Sequence, residues 1–173
     1  LLPCSVQECF EFGWKAFDLA ERLQTPVFVL SDLDLGMNQW MTKPFEYPDV
    51  PMDRGKVLWE TGLDKLNGIW ERYKDIDGDG IPYRTVIGNR HHAAAYFTRG
   101  TGHDENAKYS EEAVNWEANM LRLKRKYAAA RSLVPKPGFE KTTGTKVGLL
   151  TYGSCEAAVR EARVLLNHAG GPK

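Results

Sequence analysis

Thr25-Pro26-Val27-Phe28-Val29-Leu30-Ser31-Asp32-Leu33-Asp34-Leu35-Gly36 carries apolar side chains on consecutive positions before turning polar. An uninterrupted apolar run of this length predicts a strand covered on both faces, as in a parallel sheet. Upstream, Ser5-Val6-Gln7-Glu8 has capping-box spacing, with Glu8 placed to reach back to the cap amide. A helix is therefore expected to run to about Leu23, burying Phe10, Gly13, Trp14, Phe17 and Ala20 at helical spacing. The far end repeats the theme. Lys146 to Tyr152 predicts a second buried strand, Gly153-Ser154 a tight turn, and 155–168 a helix with Ala158, Ala162, Leu165 and Leu166 on one face and Gly170-Gly171-Pro172 as its stop. One strand at each end cannot make a sheet, so the α/β units are expected to continue beyond both ends of these residues.

Between the ends lies a connector. Residues 41–54 read as an extended, proline-rich link, and Leu63, Leu66, Ile69 and Tyr73 suggest a short helix. A strand is expected over Ala94 to Thr98. A long helix, 111–132 and capped by Ser110, follows. Its residues Ala113, Trp116, Met120, Leu123, Tyr127 and Ala130 step by three and four, the narrow seam of a packed helix. Its basic stretch from Arg122 to Arg131 reads as a solvated face, and Pro135 and Pro137 stop it.

Composition narrows the function classes. Twenty-three basic residues balance twenty-three acidic ones, which gives no reason to expect nucleic acid or an anionic membrane as partner. No apolar run approaches the roughly 20 residues of a membrane helix, and nothing reads as a signal peptide. Cys4, Cys9 and Cys155 make neither a disulfide framework nor a CxxC pair, which suits a cytoplasmic setting and leaves no iron–sulfur or zinc site on these cysteines alone.

Three motifs carry possible chemistry. Asp75, Asp77 and Asp79, with Gly80 in the sixth place of their loop, resemble the opening of a calcium loop. Pro82 and Val86 occupy the eighth and twelfth places, where an aliphatic residue and a bidentate glutamate belong, so a plain aspartate-glycine turn outweighs calcium or magnesium. Asp32 ends the first expected strand, at the carboxyl edge where open α/β sheets bind ligands, and competes with a polar strand end. His103, Asp104 and Glu105 sit in a glycine-bearing loop that could orient a substrate or move a proton, or form a solvent network. His91-His92 reads as structural or exposed, and His168 as favouring the dipole of its helix. The amides of Tyr152-Gly153-Ser154 are weak candidates for an anion.

Further order comes from the stretches Leu19-Ala20-Glu21, Gln24-Thr25-Pro26-Val27, Leu30-Ser31-Asp32, Leu35-Gly36-Met37-Asn38, Arg54-Gly55-Lys56, Asp77-Gly78-Asp79-Gly80-Ile81-Pro82-Tyr83-Arg84-Thr85, Phe97-Thr98-Arg99-Gly100, Gly102-His103-Asp104-Glu105 and Gly148-Leu149-Leu150-Thr151-Tyr152-Gly153-Ser154. Taken in sequence, they resemble the alpha subunit of 2-oxoacid:ferredoxin oxidoreductases, most of all the 2-oxoglutarate type. The resemblance implies an α/β fold in three parts. Residues 1–45 would end a pyrimidine-type thiamine-diphosphate-binding domain, 46–145 would be a connector, and 146–173 would open a transketolase C-terminal-like domain. It implies oxidative decarboxylation of a 2-oxoacid, with coenzyme A as co-substrate and ferredoxin as electron acceptor. Thiamine diphosphate with magnesium and an iron–sulfur cluster are expected mainly on the partner beta subunit. No catalytic residue carries over, because the family's substrate and cofactor groups match no position here. Asp104, within the family's Gly-x-x-His-(Asp/Asn)-Glu segment, is expected near a subunit contact, orienting a partner lysine, with His103 and Glu105 beside it and Asp32 lining the same cleft. The other readings are a calcium-stabilised module on Asp75, Asp77 and Asp79, and an interaction segment that docks a partner on the long helix seam.

Overall fold

Ser5 and Glu8 start the first helix much as their spacing predicts. The Ser5 hydroxyl accepts the Glu8 amide at 3.1 Å, while the Glu8 carboxylate takes the amide of Cys4 at 2.7 Å, one residue before the expected cap. In this computed structural model, which describes residues 1–97, 100–141 and 143–170, the helix α1 spans Val6–Leu23. It is followed by α2 (Leu33–Met37), α3 (Glu60–Lys65), a 3₁₀ turn (His92–Ala94), α4 (Ala113–Ala130) and α5 (Cys155–His168). The long helices agree with their expected spans to within two residues.

The expected strands are corrected. Residues 26–30 and 146–152 are extended, but the described residues contain no strand ladder, only the isolated bridges Val57↔Arg84 and His103↔Tyr109. A strand exists through its neighbours' N–H and C=O groups. Among the described residues the backbone of the first run bonds only Leu1, whose nitrogen donates to the Phe28 carbonyl and whose carbonyl accepts from the Leu30 amide. Phe28, Leu30, Val147, Leu149 and Leu150 are accordingly exposed. The Ala94 strand is replaced by the 3₁₀ turn, and its expected end at Thr98 lies outside the described residues, as do Arg99 and the helix stop at Gly171-Pro172. The short helix suggested by Leu63 to Tyr73 ends at Lys65, where Asn67 and Gly68 turn to positive φ and leave Ile69 exposed.

The chain divides into two units. The first comprises Leu1–Ala20, Pro26–Met52 and the described residues from Pro135 onward. Its buried core is small, built on Pro3, Leu19 and Leu35. Phe10 stacks on Phe45 at 4.6 Å and meets Tyr47 edge-on, so the connector rather than a sheet covers this face of α1. Phe17 and Gly13, expected inside, are exposed.

The second unit comprises Glu21–Thr25 and Asp53–Val134. Leu63 is fully buried at its centre, with Leu23, Ile81 and Ala107. Gln24 adopts φ 49°, a costly region for a non-glycine residue. Three bonds hold it there: its amide nitrogen donates to the Pro82 carbonyl at 2.6 Å, its amide oxygen accepts from Arg72 at 2.9 Å, and its backbone carbonyl accepts from Lys126 at 3.3 Å. Gly80 (φ 79°) lies against α4 so closely that a Cβ there would meet the Lys126 nitrogen at 2.3 Å and the Arg122 carbonyl oxygen at 2.4 Å.

Candidate functional site

The loop carrying His103, Asp104 and Glu105 is closed by its own backbone. Asp104 and Lys108 share a main-chain bond, and the Ser110 amide donates to the Gly102 carbonyl at 3.1 Å. The Asp104 carboxylate supplies the turn: Oδ1 accepts from the amides of Asn106 and Lys108, each at 2.9 Å, with Ala107 between them at φ 65°. Oδ2 makes no hydrogen bond among the described residues. Gly102 is required here, because a Cβ would meet the Ser110 carbonyl oxygen at 2.4 Å.

This loop forms one wall of a cavity of about 240 Å³ in the second unit. The His103 ring stacks on Tyr73 at 3.8 Å and 22°, and its Nδ1 donates to the Asp104 carbonyl at 3.0 Å. The Tyr73 amide donates to the Glu105 carbonyl at 2.9 Å. From α4, Asn119 reaches the His103 carbonyl at 2.7 Å and Arg122 lines the far wall. Three of the four expected site residues thus share one cavity.

Arg122 and Lys126 correct the expectation of a solvated basic face. Lys126 is 6% exposed, and burial first, then Arg122 and Arg72, pulls its ammonium below the usual lysine range. Burial also lowers the Arg122 guanidinium, with Arg72 as the next cause. Among the described residues none of the three cations has a carboxylate in ion-pair reach. They rest on carbonyl and amide oxygens: Arg122 on Gly80 at 3.1 Å, Arg72 on Tyr83 and Gln24, Lys126 on Gln24. Arg72 also lies over the Tyr73 ring at 4.7 Å, a cation–π contact. The signal for this buried polar face was the spacing of Asn115, Asn119, Arg122 and Lys126 along α4, which runs parallel to the apolar seam and was overlooked beside it.

Asp32, the fourth expected residue, belongs to the first unit and has a structural occupation. Its Oδ1 accepts the Leu35 amide at 2.8 Å, capping α2, and its Oδ2 accepts the Ser154 amide at 2.6 Å. Backbone bonds from Leu35 and then Ser154 hold its carboxyl below the usual range. Asp32 thereby ties together the carboxyl ends of the two extended runs. It also occupies the amide at Gly153-Ser154 that was a candidate for an anion. Gly153 (φ 66°) permits the approach, since a Cβ would fall 2.2 Å from Oδ2.

The aspartate loop is filled by protein cations. Lys56 Nζ lies 2.6 Å from Asp77, 2.8 Å from Asp79 and 2.9 Å from the Ile81 carbonyl. Asp75 pairs with Arg125 at 2.7 Å and accepts the Gly80 amide at 2.9 Å. The calcium module is therefore not favoured: an ammonium stands where the ion was expected. No group of three or more His, Cys, Asp or Glu converges on a metal position among the described residues, and the three cysteines are free. His91 behaves as the structural histidine expected, its Nδ1 accepting the Ala93 amide at 3.0 Å, and His168 bonds the Val164 carbonyl in the last turn of α5. No helix among the described residues is long and apolar enough to cross a membrane.

Comparison with known proteins bears out the resemblance. Along nearly its whole length the chain is related to one class of enzyme subunit, the alpha subunits of 2-oxoacid:ferredoxin oxidoreductases. It is 30% identical over 168 residues, 94% of its length, to the alpha subunit of 2-oxoacid:ferredoxin oxidoreductase 2 of Aeropyrum pernix, of which it covers 25%. It is 27% identical to the corresponding subunit of Saccharolobus solfataricus, again over 94% of this chain and 25% of that protein. With the 2-oxoglutarate synthase subunit KorA of Methanothermobacter thermautotrophicus it shares 28% identity over 166 residues, 94% of this chain and 40% of that protein. The chain thus spans well under half the length of these curated relatives. No family model matches the chain.

Proposed function

We propose that this chain is part of the alpha subunit of an oxidoreductase that oxidatively decarboxylates a 2-oxoacid, 2-oxoglutarate in our reading, to its acyl-coenzyme A, with ferredoxin taking the electrons. What carries the reading is similarity over 94% of the chain to subunits named for this activity. The residues present fit a supporting role. In this reading thiamine diphosphate, held with magnesium mainly by the beta subunit, supplies the electron sink for decarboxylation. This chain supplies the loop at 102–110, set against the contact with that subunit.

Within the loop, Asp104 has two jobs on two oxygens. Oδ1 folds the turn through Asn106 and Lys108. Oδ2 presents a carboxylate at the cavity wall, able to hold a partner lysine ammonium in position. The extended runs at 26–30 and 146–152 become sheet strands beside neighbours from the rest of the assembly, which covers their exposed apolar side chains.

The test uses the assembled alpha–beta enzyme, followed by 2-oxoacid-dependent, coenzyme A-dependent reduction of ferredoxin. Asp104→Asn keeps an oxygen for the Asn106 and Lys108 amides and removes the charge, whereas Asp104→Ala removes both. Loss of turnover in both variants is expected. Full activity in Asp104→Asn with loss only in Asp104→Ala would reduce Asp104 to a folding role. An intact enzyme without 2-oxoacid-dependent ferredoxin reduction would end the proposal.

A further inference from the structure

The seam of α4 faces the wrong way for a helix that serves only its own unit. Ala113, Trp116, Met120, Leu123, Tyr127 and Ala130 alternate spacings of three and four, the pattern of knobs-into-holes packing between helices. Yet Trp116 is 61% exposed, Tyr127 59% and Met120 40%. The helix cannot roll to bury them. Its adjacent, polar stripe is fixed by Asn119 to the His103 carbonyl, by Arg122 to the Gly80 carbonyl and by the close seat of Gly80 on its backbone.

We infer that this seam is the contact between two copies of the chain, with the α4 helices packed antiparallel. The charges beside the seam choose the occupant and its direction. Glu112 and Glu117 flank the first half, and Lys124 and Arg131 the second, all four exposed and none in an ion pair among the described residues. A parallel copy would set acid against acid and base against base. An antiparallel copy sets Glu117 against Lys124, which share one flank of the seam, and opposes the helix dipoles. Aromatic and methionine side chains between charged flanks are the usual composition of an interface centre with a polar rim.

Sedimentation velocity on the chain tests this. A reversible dimer of the 19.5 kDa chain is expected, half dissociated at about 10–100 µM. Glu117→Lys and Lys124→Glu, at exposed positions that leave the helical circular dichroism unchanged, are each expected to weaken it about tenfold. The double variant restores complementarity and returns the affinity to within about threefold of the original. Trp116→Glu abolishes the dimer. A chain that stays monomeric at ten times that concentration overturns the inference, since the seam then serves some other partner. So does a dimer indifferent to Trp116→Glu, or charge variants that fail to compensate each other.

Discussion

Replacing Lys56 by methionine keeps the length of the side chain and removes the cation that closes the aspartate loop. Three oxygens, from Asp77, Asp79 and Ile81, face the ammonium at 2.6–2.9 Å. Hydrogen bonds to a charged group contribute about 1.5–3 kcal/mol each when shielded from water. Here both carboxylates are a third or more exposed, so screening cuts the sum, and a loss of about 2 kcal/mol is expected. For a chain of this length that is a fall in melting temperature of about 4–8 °C. The two aspartates, freed of their lysine, should then accept calcium weakly, with a dissociation constant of about 1 mM because water must complete the shell. At about 10 mM calcium, binding returns roughly 1.4 kcal/mol to Lys56→Met and nothing to the original chain. Acid should separate the two as well. The hydrogen bond from Lys56 is the leading cause holding the Asp77 carboxyl below its ordinary value. A depressed folded-state pKa contributes stability above the unfolded value, lost as pH falls through the folded one. The original chain should therefore lose stability more steeply below about pH 4 than Lys56→Met does. Thermal melts by circular dichroism, with calcium or chelator, decide the matter. A chelator that destabilises the original chain, or a Lys56→Met that melts with it, refutes the idea that the lysine is the loop's cation.

Gly80 and Gly78 separate backbone conformation from crowding. Both have positive φ, but a Cβ at Gly78 meets open space whereas one at Gly80 strikes the α4 backbone. Gly78→Ala should cost about 1 kcal/mol and Gly80→Ala more than about 3, measured by urea denaturation; equal costs would contradict the close seat of α4. Lys126→Met should leave the chain as stable or raise its melting point, because it removes a buried cation without a counter-charge. Since the Lys126 pKa is lowered on folding, stability of the original chain should rise with pH towards the unfolded lysine value near 10.4, and this part of the rise should vanish in the variant. Asp32→Ala should speed hydrogen exchange at the Leu35 and Ser154 amides, which lose their acceptor; unchanged exchange would mean the carboxylate does not clasp them.

What the sequence disclosed depended on range. Helices α1, α4 and α5 were legible because their signals are local: Ser5 and Glu8 cap the first, Pro135 and Pro137 follow the second, and Gly153-Ser154 precede the third. Strand formation at 26–30 and 146–152 was not legible, because a strand depends on a neighbour that a one-dimensional pattern cannot supply. The apolar runs were read correctly as apolar. Their pairing was an assumption about other chain segments.

The site divides along the same line. Gly102 to Glu105 stood out because residue types and spacing carry the turn chemistry. Tyr73, Arg122 and Lys56 did not, since each acts across 23 to 42 residues of sequence: Lys56 on Asp79, Tyr73 on Glu105, Arg122 on Gly80. The error with the most consequence came from α4, where two stripes with the same helical period run side by side. Hydrophobicity assigned the inward face to Trp116, Met120 and Tyr127. Gln24 and Gly80 overrode it, because one offers Lys126 a carbonyl and the other lets the chain approach the helix backbone closely enough for Arg122 to reach one. A helix that spends its polar face on its own unit leaves its apolar face for another.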